Sequence, residues 1–134
     1  MSAISRHLPT AARILLGLAF TVFGLNYFLS FLPQPPLPAD AGAFLGALVA
    51  GKYMTIVKVV EVAAGVALLA NRFVPLALAL LASPLVGIVV FHAVYAPESL
   101  ILPIILVALE VYLAWAYRAA FAPMLQARTA PAGA

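Results

Sequence analysis

The sequence predicts an all-α integral membrane protein, a bundle of four transmembrane helices running up and down. Two observations predict it. The chain is 66% hydrophobic and only 8% charged, whereas soluble domains carry roughly 45–50% apolar and about 25% charged residues. Its apolar residues also gather in four long runs, 14–32, 53–71, 73–95 and 99–117. Each approaches the roughly 20 residues that cross about 30 Å of hydrocarbon as a helix. They predict spans over about 12–32, 53–71, 73–95 and 99–118, within one membrane domain, 1–125, followed by a disordered tail, 126–134.

The first run has the flanks of a signal peptide, with Arg6 and Arg13 before it and an A-x-A at 39–41. It is longer than the typical apolar core of a signal, about 7–15 residues, and it contains Thr21 and Asn26, so it reads as a retained span. Pro33, Pro35, Pro36 and Pro38 then predict a stiff polyproline-II arm. Asp40 is placed to cap a short helix over 41–50, closed by Gly51, with Phe44, Leu45, Leu48 and Val49 on one side. That helix is half a span long and is expected to lie at the interface or fold back as a re-entrant element. The connections at 71–72 and 96–98 are too short for anything but tight reversals, which makes successive spans neighbours. Pro84 predicts a kink in the third span. Gly17, Gly24, Ala63, Gly65 and Ala67 offer small faces for close helix packing.

Charge sets the expected topology. Arg6, Arg13, Arg72, Arg118 and Arg128 fall at the chain ends and the second-to-third connection, against Lys52 alone on the other side. This positive-inside bias places both termini in the cytoplasm. The net charge of +3 therefore serves topology rather than a nucleic-acid partner, and the expected partner is the lipid bilayer. With no cysteine, disulfides, thiolate metal sites and iron–sulfur clusters are excluded.

Lys58 and Glu61 stand inside the second run. A charge at bilayer depth costs at least about 2.5–3.5 kcal/mol, and two residues three apart share a helix face and can neutralise each other. Counted from the outer ends of their spans, Lys58 lies about 7 Å deep, Glu61 about 12 Å, Asn26 about 9 Å and His92 about 5 Å. The four share one layer, and converging faces would make a polar pocket under the proline arm and the short helix. Three of them also have a plainer role: Asn26 as interhelical glue, Lys58 reaching the headgroups, His92 as a helix-end residue; Glu61 is too deep and too short to reach the headgroups. Glu61 and His92 are too few for a metal site, so none is assigned. Glu110 is a second intramembrane acid, about 18 Å deep, whose nearest basic candidates are Arg13 and Arg118. No complete catalytic constellation and no intrinsic cofactor is legible.

The segments A-R-I-L-L-G-L-A-F-T-V-F-G-L-N-Y-F (12–28), P-Q-P-P-L-P-A-D-A-G-A-F-L-G-A-L (33–48), K-V-V-E-V-A-A-G-V-A-L-L-A-N-R-F-V-P-L-A-L (58–78) and F-H (91–92) together resemble the DoxX family of small four-helix bacterial membrane proteins. The resemblance covers roughly 12–125. It implies a bacterial inner-membrane location and association with membrane oxidoreductases and quinone-linked chemistry, and its recurring polar positions match Asn26, Lys58, Glu61 and His92. Relatives commonly carry Asn shortly before the F-H pair, where this chain has Gly87. The leading expectation is an accessory to a membrane redox system that binds a quinone or another small amphiphile. A proton-coupled small-solute transporter and a structural or assembly subunit are the alternatives. A membrane oxidoreductase and a second copy of the chain are the partners these readings allow.

Overall fold

Ser2 starts the first helix well before the apolar run begins. Its side chain accepts from the Ser5 amide at 3.3 Å, and the Ser5 hydroxyl donates back to the Ser2 carbonyl at 2.9 Å. This reciprocal cap nucleates α1 (Ala3–Leu29), which continues through Pro9. The helix ends at Ser30, whose φ of 51° is left-handed and whose amide donates to the Asn26 carbonyl at 2.8 Å. In a computed structural model that describes residues 2–133, α1 is the first of six helices, and no strand occurs among those residues.

The proline arm delivers the chain to α2 (Ala39–Ala50). Asp40 is not its N-cap. The Pro38 carbonyl already accepts the Gly42 amide at 2.9 Å, so helical bonding begins two residues earlier than expected and Asp40 falls in the first turn. There its carboxylate accepts from the Ala41 amide at 2.9 Å, at the positive end of the helix. The left-handed residue that turns the chain is Lys52, with φ of 64°, not Gly51. α3 (Tyr53–Leu69) leaves this corner at 82° to α2.

Asn71, at φ of 54°, closes α3. The Arg72 amide donates to the Ala67 carbonyl and the Asn71 amide to the Leu68 carbonyl, the paired bonds of a Schellman motif. α4 (Val74–Tyr95) follows and stays helical through Pro84. A 3₁₀ turn, Pro97–Ser99, leads into α5 (Ile101–Ala116). The chain then bends by 77° into α6 (Arg118–Phe121) and a last 3₁₀ turn, Ala122–Leu125, where the sequence alone gave only the end of a span.

Packing follows the small and branched residues. The four long helices form a closed ring in which α1 packs on α3 and α5, and α4 packs on α3 and α5, while α2 lies against α3 and α4. Leu16, Leu68, Leu78, Leu81 and Leu113 are fully buried at its centre. The outside is no less apolar: Ile56, Val86, Val94, Ile101 and Val111 are more than half exposed. Patches of that extent are unusual on a water-soluble monomer and suit a hydrocarbon solvent. α1 and α4 are each long and apolar enough to cross a membrane, and α2 with α3, and α5 with the segment after it, reach that length only as bent pairs.

Candidate functional site

The register of α1 against α3 positions the polar residues. Arg13 meets Leu68 and Leu69, Gly17 meets Gly65 and Leu68, Gly24 meets Val62, and Tyr27 meets Thr55. Ascending numbers on one helix pair with descending numbers on the other, so the two run antiparallel. They run very close. A Cβ on Gly65 would stand 2.6 Å from Thr21 Oγ1 and 2.8 Å from its backbone nitrogen, and one on Gly17 would stand 3.0 Å from the Gly65 carbonyl. Only glycine lets these backbones approach so far.

Glu61, Ala64, Gly65 and Leu68 form the buried stripe of α3 at helical spacing. Glu61 heads that stripe and is 2% exposed. One turn before it, Lys58 Nζ donates to Glu61 Oε2 at 2.8 Å, and the Lys58 side chain remains 19% exposed. The ammonium has three donors, so two N–H groups are left for other oxygens. This is a buried carboxylate reached through a cation that is partly open.

Asn26 and His92 hold other bonds. Asn26 is 6% exposed, and its Oδ1 accepts the Leu32 amide at 2.7 Å, which ties the chain beyond α1 back to the helix. Antiparallel register puts it level with Thr55 and Lys58, since Tyr27 donates or accepts across to Thr55 at 2.9 Å. The Asn26 amide nitrogen is not used in the Leu32 bond and keeps its donors. His92 Nδ1 lies 2.8 Å from the Ile88 carbonyl, which can only accept, so Nδ1 carries the proton and neutral His92 offers Nε2 as an acceptor. Its ring stands edge-on to Phe91, 5.5 Å between centroids. Phe91 and Tyr95 stack in turn with Phe44 of α2, at 6.2 and 5.6 Å. No hydrogen bond among the described residues joins Asn26 or His92 to the Lys58–Glu61 pair. The structure thus brings Lys58 and Glu61 into contact and gives Asn26 and His92 backbone partners of their own.

Arg13 is a site residue that sequence reasoning treated only as a topology signal and as a candidate partner for Glu110. It is 8% exposed, and its guanidinium donates to the Leu68 and Leu69 carbonyls at the end of α3. A fixed cation there adds a donor to the Leu68 carbonyl, which also takes the Asn71 amide, reaches the Leu69 carbonyl and opposes the negative end of the helix dipole. The signal was available, because an antiparallel first pair of spans puts Arg13 level with the end of the second. Arg118 repeats the device on α5, donating to the Trp115 carbonyl at 3.0 Å with its guanidinium 4.5 Å above the Trp115 ring. Glu110 meets neither arginine in a hydrogen bond; its Oε2 is buried and unpartnered among the described residues. Among those residues no three His, Asp or Glu side chains group closely enough to hold a metal ion.

Comparison with protein-family models, with curated proteins and with solved structures finds no match to this chain.

Proposed function

We propose that the chain is a DoxX-like four-span protein of the bacterial inner membrane, an accessory to a membrane redox system that binds a quinone or a similar small amphiphile. The observation that carries this reading is the Lys58–Glu61 pair, a carboxylate 2% exposed behind an ammonium 19% exposed. Ionisable side chains at bilayer depth are rare and expensive, and they mark ligand or proton sites by default. The four long helices, their apolar outer faces and the arginines at the α1 start, the α3–α4 turn and the α5 end support the four-span topology with both termini cytoplasmic.

The residues present suit a headgroup with carbonyl oxygens. The free N–H groups of Lys58 and the amide nitrogen of Asn26 are donors, and His92 Nε2 accepts from a hydroxyl. Glu61 holds the ammonium in place and exchanges a proton through it. A bound quinone would supply the two-electron couple. The chain's own part is to orient the headgroup, exclude water and carry a proton, with electrons coming from a partner oxidoreductase. The test is mass spectrometry of small molecules retained by the gently purified protein. Quinone should accompany the wild type and be lost from a Lys58→Met protein that thermal unfolding shows to be still folded, though less stable. A wild-type protein that retains none removes the reading.

A structural or assembly role is favoured by one observation, that Asn26 is committed to fixing its own chain at Leu32. On that reading the ion pair sets helix register, and Glu61→Gln would keep full activity in the cell.

A further inference from the structure

Glu110 is a half-buried acid that the Lys58–Glu61 site does not use. It lies on α5 at a groove of about 360 Å³ between α4 and α5, walled by Leu85, Val86, Val89, Val107 and Val111. Apart from this carboxyl the walls are hydrocarbon. Val86 and Val111 are 64% and 62% exposed, so the groove opens sideways through the apolar surface rather than at an end of the bundle. Glu110 Oε2 is buried and has no hydrogen bond among the described residues. The ion pair at Glu61 is the only one among those residues, and Arg13 and Arg118 are engaged at the ends of α3 and α5. An acceptor of this kind, shielded from water, gains strongly from a charged donor.

We propose that the α4–α5 groove binds a lipophilic amine, with its nitrogen on Glu110 and its hydrocarbon body against the valines. Charge complementarity selects this occupant. The groove has a carboxyl and no cation. A second copy of the chain packed symmetrically on this face would bring another Glu110 rather than a base, and an anionic amphiphile would be repelled. A neutral alcohol fits the walls but makes the weaker hydrogen bond. If the carboxyl is protonated and the amine neutral on arrival, the O–H bond breaks as the N–H bond forms. The pair ends as carboxylate and ammonium, and no proton is released.

The experiment measures saturable binding of dodecylamine and of dodecanol to the full-length protein in phosphatidylcholine nanodiscs. Dodecylamine should bind the wild type about tenfold or more tightly than dodecanol, and Glu110→Gln should remove that preference. Ala82→Phe, which keeps the carboxyl and fills the groove that Ala82 helps to line, should weaken both ligands. Thermal unfolding of each variant confirms that it is folded. An unfolded Glu110→Gln leaves Ala82→Phe and the amine-to-alcohol ratio as the deciding results. Wild-type protein with no saturable amine binding, or a folded Glu110→Gln that binds the amine undiminished, overturns the proposal. So does a Val111→Cys protein that cross-links fully to a second copy and is indifferent to dodecylamine, since the groove is then a protein interface.

Discussion

At Glu61 the carboxylate depends on one neighbour. It is 2% exposed, and the Lys58 ammonium at 2.8 Å is its side-chain partner among the described residues. Replacing it with leucine leaves Lys58 without its partner, and breaking a buried pair from one side typically costs roughly 3–5 kcal/mol. The 19% exposure of Lys58 lets water recover part of that, so the lower end is expected. Thermal unfolding in detergent should therefore fall clearly for Glu61→Leu, and Lys58→Met with Glu61→Leu should recover most of the loss. Glu61→Gln keeps the shape and a hydrogen-bonding group but cannot titrate. It should unfold close to wild type while failing to rescue a deletion strain under oxidative stress; full rescue would assign the pair a structural role. Arg13 makes a second prediction. Arg13→Met should destabilise by about 1–2 kcal/mol by removing the cation bonded to the Leu68 and Leu69 carbonyls, and Arg13→Lys should restore part of it. Equal stability of the three proteins in a denaturation series would remove Arg13 from that role.

Between helices, the α1–α3 contact is closest at Gly17 and Gly65, which meet backbone atoms of the facing helix, while Gly24 faces the Val62 side chain. A methyl group on Gly65 collides with the Thr21 nitrogen at 2.8 Å, and neither backbone can yield without separating the helices. Gly65→Ala should lower the unfolding temperature and weaken the Tyr27–Thr55 link at the other end of the pair. Gly42 and Gly46 in α2 are the contrast. A Cβ on either meets nothing within 4 Å, so alanine there removes only the helix penalty of glycine. Each should be neutral or stabilising by up to about 1 kcal/mol. If Gly65→Ala and Gly42→Ala behave alike, close approach is not what holds α1 to α3. α2 itself buries little beyond Ala41 and is held by Phe44 stacking on Phe91 and Tyr95.

Across the whole molecule, the short α3–α4 turn and the antiparallel α1–α3 pair gather Arg13 and Arg72 at one end, with the proline arm and α2 at the other. That segregation is what the positive-inside rule acts on. A cysteine at Gln34 should react with an impermeant thiol reagent on intact cells, and one at Gln126 should react only after permeabilisation. Labelling at Gln126 alone would invert the topology and move the Lys58–Glu61 layer to the cytoplasmic side.

The sequence by itself determined the helical class, the four long helices and the reversals between them, because apolar runs and turn residues such as Asn71 and Pro97 are local signals. It also determined that Lys58 and Glu61 would meet, since residues three apart on a helix face need no tertiary information. Helix ends were less legible. The Ser2–Ser5 cap and the Pro38 carbonyl moved the starts of α1 and α2, and both depend on backbone geometry that composition does not encode. Equal depth placed Asn26 and His92 in the same layer as the pair, but depth fixes only height, not the direction in which a side chain leaves its helix. The fold directs Asn26 Oδ1 to Leu32 and His92 Nδ1 to Ile88, since a backbone partner close in sequence is always within reach. That α1 lies against α3, and so that Arg13 reaches the end of α3, was decided by close packing at Gly17, Gly24 and Gly65. Those contacts join residues far apart in the chain, where no local pattern reports them.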